Sequence, residues 1–496
     1  MTIEKTAVPI RHDDRFFIGG KWVEPSSSDV IEVIDSSTEE TYFSVPEAQA
    51  ADMARAVGAA REAFDRGPWP RMSHAERAGY LRAIGEGLRG KSAEAGQIWP
   101  RESGALFAIA QYTAGGMAGV FDFYAGLADT YHFEERRQPT MGGEFGLLVR
   151  EPVGVVGAII PWNAPLSLIA YKIAPALLAG CTVVLKSSPE APGAAYLFGE
   201  IAEDIGLPPG VLNIVTADRE VSELLVTNPV VDKITFTGST AAGRRIASLC
   251  GERIARCTLE LGGKSAAVIL DDMDLETAAK TLSGAECFLA GQVCSSLTRI
   301  IVGRSRHDEF VDALAGTFSQ VRVGDPFDAQ TQMGPLAMSR QRDRVEGYIA
   351  KGVEEGAKLA TGGGRPKDLD RGYYIEPTVF GNVDNRSTIA REEIFGPVLS
   401  VIPADSEDHA IELANDTVYG LNASVFTNDV DRARAVAGQL RSGTVGHNAF
   451  RTDFGMAFGG FKQSGIGREG GVEGLLPFLE TKTVILNGEP SGAAPS

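Results

Sequence analysis

Three side chains stand where packing alone gives them little reason to be. Cys294 lies in "GQVCSSLT" (291–298), a short polar turn between one apolar run and the apolar "RIIVG". A free cysteine usually behaves as a small hydrophobe in a core. One set beside Gln292, Ser295 and Ser296 suits a reactive thiol instead. Glu260 lies in "LELGGKS" (259–265), flanked by Leu259 and Leu261 in a strand that ends in a glycine pair. Such a carboxylate is either paired in the interior or functional. Asn163, in "PWNAP" (161–165), ends a strand at a turn. Asn and Pro can make that turn with no further role, or the amide can face a developing oxyanion. Taken together, a thiol, an amide donor and a water-activating carboxylate describe one reaction. The thiol attacks an aldehyde carbon, and the oxyanion is held by Asn163 and a backbone N–H near Cys294. Hydride passes to a nicotinamide, and Glu260 draws a proton from the water that releases the acid.

The elements that must position these groups read as two α/β units. From about 150 to 270, strand-like "GVVGAII" (154–160), "TVVLK" (182–186), "VLNIV" (211–215) and "KITFTG" (233–238) alternate with helical stretches, the first closed by Gly180. This rhythm implies a parallel sheet with helices on both faces, which binds nucleotides at the carboxyl ends of its strands. Residues 47–130 read as helical, and a second alternation runs from about 265 to 465. "FGLLVREPV" (145–153) and "ETKTVILN" (480–487) read as strands outside both units. Isolated two-stranded pieces are marginal in water, so these should pair with each other and with another subunit.

At 496 residues with 44% apolar and 23% charged residues, the chain should form two or three globular domains. Its net charge of −18 argues against a nucleic-acid partner and gives no support for an anionic membrane surface. Five cysteines without a C-x-x-C pair point to a reducing cytoplasm, and six histidines without a paired spacing show no metal site. No apolar leader opens the sequence and no uninterrupted apolar run is long enough to span a bilayer. The tail "NGEPSGAAPS" should be disordered.

Two glycine motifs compete as a phosphate site. "GIGREG" (465–470) matches G-x-G-x-x-G but has no strand leading into it, and reads as a tight turn. In "FTGSTAAGRRI" (236–246) a strand runs into Gly238 and Ser239 and a helix begins at once. Its free N–H groups suit an anion, while Ser239 equally suits a plain N-cap.

In combination and order, "PWNAPL", "VVLKSSPEAP" (183–192), "FTGST", "LELGGKS", "GQVC", "EEIFGPV" (392–398) and "FGGFKQSGIGRE" resemble the NAD(P)-dependent aldehyde dehydrogenases over nearly the whole chain. The resemblance implies a Rossmann-like cofactor domain (1–130 and 152–262), a second α/β catalytic domain (263–465), and a bridging oligomerisation element with the tail (131–151 and 466–496). It implies Cys294 as nucleophile, Glu260 as general base, Asn163 as oxyanion donor, and Lys172 and Glu469 as a proton relay behind the base. Lys186 and Glu393 match holders of the two cofactor riboses, Gly238 and Ser239 the pyrophosphate site, Phe395 a neighbour of the nicotinamide, and Trp162 the cleft wall. Where many NAD-preferring relatives carry a glutamate three residues after the motif lysine, this chain has Pro189, with Glu190 next. That leaves NADP usable, but no Arg or Lys at 187–192 offers to bind a 2′-phosphate, which favours NAD. The relatives' asparagine five positions before the nucleophile is Leu289 here. Ala164, Tyr171, Phe288 and Phe458 should wall an apolar aldehyde pocket. A homodimer or homotetramer is implied. The rivals are a coenzyme-A-acylating relative, which Glu260 argues against, and a non-catalytic protein on the same scaffold.

Overall fold

The computed structural model describes residues 7–453 and 455–491; the last five residues of the tail lie outside the described residues. The first α/β unit is an eight-stranded sheet. Its order is Gly465–Ile466, Arg256–Glu260, Lys233–Thr237, Val155–Ile159, Thr182–Ser187, Leu212–Thr216, Phe16–Ile18 and Lys21–Val23. The five strands from Arg256–Glu260 to Leu212–Thr216 are parallel. Their interior runs are rich in Val and Ile because both faces are covered. From Val155–Ile159 the chain winds first one way, through Thr182–Ser187, and later the other, to Lys233–Thr237. The strand order therefore reverses beside Val155–Ile159, and the crevice outside those carboxyl ends is where such sheets take ligands.

The helix Pro165–Ala179 shows how local signals set the elements. Pro165 occupies its first turn, where the missing N–H costs nothing. Gly180 ends it at φ 100°, a left-handed cap that a Cβ would disfavour.

The second unit is a seven-stranded sheet in which Lys358–Thr361 alone runs antiparallel to its neighbour. Phe145–Pro152 pairs with Leu479–Leu486 as the sequence implied. A third strand, Glu134–Arg137, completes that sheet on the other side. Its sequence, EERR, carries no apolar alternation, so pattern reading passes over it. The "GIGREG" motif supplies the edge strand Gly465–Ile466, antiparallel to Arg256–Glu260, rather than a loop between strand and helix.

Candidate active site

The candidate groups gather from the carboxyl ends of the first sheet and from one turn of the second unit. Glu260 is the last residue of its strand, 2% exposed, and neither carboxyl oxygen has a hydrogen-bond partner among the described residues. Burial, and then the neighbouring Glu469, raise its pKa well above the ordinary carboxyl range; Lys172 and Arg468 oppose the shift. Room for the side chain is made by Gly459, where a Cβ would come within 2.7 Å of Glu260 Oε1.

Just beyond Glu260, the two motif glycines serve different neighbours. A Cβ at Gly262 would collide with the Glu393 carboxylate, and one at Gly263 with the carbonyl oxygen of Cys294. The Gly263 N–H donates to Glu393 Oε1 at 3.1 Å. One dipeptide thus seats both the nucleophile turn and a carboxylate from residue 393.

Cys294 follows a sharply bent connection. Leu289 and Ala290 both adopt left-handed backbone, at φ 50° and 51°, and Gly291 follows at 70°. For the two non-glycine residues that conformation costs on the order of 1–3 kcal/mol each. Gln292 holds the bend. Its amide donates to Leu289 O at 2.9 Å and to Ser103 O at 3.4 Å, and its carbonyl accepts from Ala337 N at 2.9 Å. Asn163 Nδ2 donates to the Gln292 backbone carbonyl at 3.0 Å, and its own carbonyl accepts from Trp99 Nε1 at 2.9 Å. The amide has two N–H groups, so one remains for a ligand two residues along the chain. Cys294 is half-buried. Burial, followed by Glu393 and Glu260, pushes its thiol up to about 12, while the Ser295 and Cys294 N–H groups pull the other way.

Lys172 Nζ bonds Glu469 and donates to Thr237 Oγ1 at 2.7 Å. Lys186, near the end of its strand, is buried. Burial pushes it down to about 8. Burial likewise pushes Glu393 up to about 7. Trp162 and Phe395 meet edge to face, with centroids 5.4 Å apart, and Phe395 sits at φ 62°. Gly238 ends the strand with its N–H on Glu260 O, 3.0 Å away. Ser239 Oγ accepts from Ala242 N at 3.3 Å, so the capping role is present at the start of that helix.

A model of the aldehyde dehydrogenase family matches residues 22–484. The chain belongs to that family. This aldehyde dehydrogenase is 45% identical to a geranial dehydrogenase of Castellaniella defragrans, over 95% of this chain and 98% of the relative. It is 39% identical to a betaine aldehyde dehydrogenase of Bacillus subtilis, over 96% and 98%. Among solved structures, an aldehyde dehydrogenase of Mycobacterium tuberculosis complexed with NAD+ superposes with a TM-score of 0.93 at 48% identity, covering 97% of this chain and 99% of that one. A Pseudomonas syringae aldehyde dehydrogenase mutant complexed with NAD+ and octanal gives 0.93 at 40%, covering 98% and 99%.

In this aldehyde dehydrogenase, contacts from distant segments bear on two groups of candidate residues. Glu190 is not a free carboxylate: Ser188 and Arg340 both bond it, and those contacts pull its pKa down against burial. Arg340 is therefore a cation beside the 187–192 stretch, brought there from 150 residues away and invisible to a local reading. The four proposed wall residues also divide. Ala164 and Phe288 pack in one apolar cluster with Trp99, Ile109, Leu289 and Val293. Tyr171 lies near Tyr124, Glu469 and Asp453, and Phe458 exchanges backbone bonds of 2.6 and 2.7 Å with Glu469. In the sequence Gln292 reads only as a polar neighbour of Cys294; its burial, at 1% exposure, is what marks it as the brace of the turn.

Proposed function

We propose that Cys294, Glu260 and Asn163 carry out the NAD-dependent oxidation of an apolar aldehyde to its acid in this chain. The observation that supports this most is Glu260: a buried carboxyl without a partner, near a half-buried thiol, is costly unless a reaction uses it. The residues present fit a dinucleotide. Lys186 offers a buried cationic side chain near the end of its strand, and Glu393 has one oxygen on Gly263 with the other against Gly262. Lys186 and Glu393 would hold the riboses, Gly238 and Ser239 the pyrophosphate, and Trp162 and Phe395 would flank the nicotinamide. When bound, NAD supplies an acceptor for hydride.

Cys294 Sγ gives up its proton to the Glu260 carboxylate and forms the bond to the aldehyde carbon. The second N–H of Asn163 donates to the oxygen that becomes negative. After oxidation the acyl carbon remains on Sγ as a thioester. Glu260, as carboxylate, takes a proton from the attacking water, and the acid leaves as the C–S bond breaks. Lys172 and Glu469 lie behind Glu260 and take the proton onward. The cluster of Trp99, Ala164, Phe288 and Val293 contains no charge, which supports an apolar aldehyde over a charged one.

The same reading divides the chain into a cofactor domain (1–130 and 152–262), a catalytic domain (263–465) and a bridging element (131–151 and 466–496). The free edge of Leu479–Leu486 supports pairing with a second copy in a dimer or tetramer. Five free cysteines support a reducing compartment such as the cytoplasm.

Glu260→Gln tests the scheme. It should give a stoichiometric burst of reduced cofactor with a decanal-like aldehyde and then stall. Undiminished steady turnover would remove Glu260 from the role of base.

A further inference from the structure

Strands of a parallel sheet covered on both faces normally run almost wholly apolar. Lys233–Thr237 does not. Ile234 and Phe236 enter an apolar layer, as expected. The alternate residues Lys233, Thr235 and Thr237 are polar and all buried. The neighbouring strand continues the stripe: Thr235 stands opposite Thr258 and Thr237 opposite Glu260, while Leu259 turns to the apolar layer.

Two hydrogen-bonded stretches make up the stripe, one around Glu469 and one at Lys233, and Thr235 and Thr258 face each other across the register between them. Lys172 Nζ donates to Thr237 Oγ1 at 2.7 Å and bonds Glu469. Thr235 Oγ1 donates to Glu469 Oε1 at 3.4 Å, and Lys233 Nζ donates to Thr258 Oγ1 at 2.7 Å. It runs from Glu260 at the carboxyl end of the sheet to Lys233 at the amino end, roughly 13 Å for four strand steps. Lys233 is covered by the Phe478 ring, 5.2 Å from its ammonium, and is faced by Cys257, Cys181, Glu469 and Lys172. Opposite it in register lies exposed Arg256, whose Nε meets Glu480 at 2.6 Å. The far end of the stripe is therefore one side chain from solvent.

We infer that this stripe drains the proton collected by Glu260 to the amino-end surface of the sheet, with Lys233 as its last buried acceptor. The inference rests on Glu260 being the base. One proton moves per acid formed and no electron moves. Water gives the proton to the Glu260 carboxylate; the Glu469–Lys172 pair takes it and restores that carboxylate. The Thr235 and Thr258 hydroxyls each accept one proton as they donate another. The neutral amine of Lys233 becomes an ammonium and releases its proton to water beside Arg256. Burial pushes Lys233 down to about 8, so both of its forms exist near neutral pH. Lys233 touches no reacting atom and is a positioning residue for the proton, not a catalytic one.

Lys233→Met keeps the length of the side chain and removes the amine. Single-turnover acyl release after the hydride burst, followed in water and in deuterium oxide, is the readout. The expected result is an unchanged burst, acyl release slowed about tenfold at neutral pH, a larger solvent isotope effect, and partial rescue by added methylamine. Thr258→Val, nearly isosteric, should show the same signature more weakly and serves if Lys233→Met does not fold. Unchanged acyl release, or burst and release falling together with no change in isotope effect, would overturn the path. Glu260→Gln run in parallel separates the two ideas. If it stalls while Lys233→Met and Thr258→Val behave as the parent, only the path fails; if it turns over normally, the base assignment fails first.

Discussion

The nucleophile and the base are held by opposite means. Cys294 depends on a bent connection with two strained residues, braced by bonds that Gln292 makes to Leu289, Ser103 and Ala337. Glu260 ends a regular strand, and its carboxyl has no bond at all among the described residues. A turn must be pinned from several sides before a sulfur can be aimed. A strand end is already rigid, so its side chain can be left free to meet water and to change charge.

Removing the sulfur breaks the comparison at its strongest point. Cys294→Ala should abolish aldehyde oxidation, a loss on the order of 10⁴-fold or more, while cofactor binding measured by fluorescence titration stays near the parent value. Loosening the brace comes next. Gln292→Ala should lower kcat/KM by about 10²-fold, the cost of roughly an ångström of misplacement at a reacting atom. If its rate matches the parent, the bonds from Gln292 do not aim the thiol.

The electrostatics sharpen the contrast. A thiol raised to about 12 carries its proton at neutral pH, so without cofactor its alkylation by iodoacetamide should rise with pH, about tenfold per unit between 7 and 9. A plateau below pH 8 would mean that the sulfur is already ionised. The smallest effect falls on the bend. Ala290→Gly relieves left-handed strain while adding chain freedom to the unfolded state, so thermal denaturation should stay within about 0.5 kcal/mol of the parent. The same change inside the helix Pro165–Ala179, at Ala174, should cost about 1 kcal/mol.

The sequence made the parallel strands readable because burial on both faces leaves compact β-branched runs, as in "RIIVG" (299–303). It made Glu260 and Cys294 readable because each violates its surroundings. Glu134–Arg137 was not readable, since a charged strand takes its conformation from the ladder of Phe145–Pro152. Nor could local reading see that Arg340 would claim Glu190, or that the Phe458 backbone would pair with that of Glu469. Those pairings are decided by segments far apart along the chain.

The glycine pair at 262 and 263 has a bearing on synthesis. It receives a carboxylate from residue 393 on one side and the cysteine turn on the other. A ribosome that has delivered the five parallel strands of the first sheet but not residue 393 holds a chain in which one side of this glycine seat is still empty. The seat that holds the cysteine turn is thereby completed only once residue 393 has arrived.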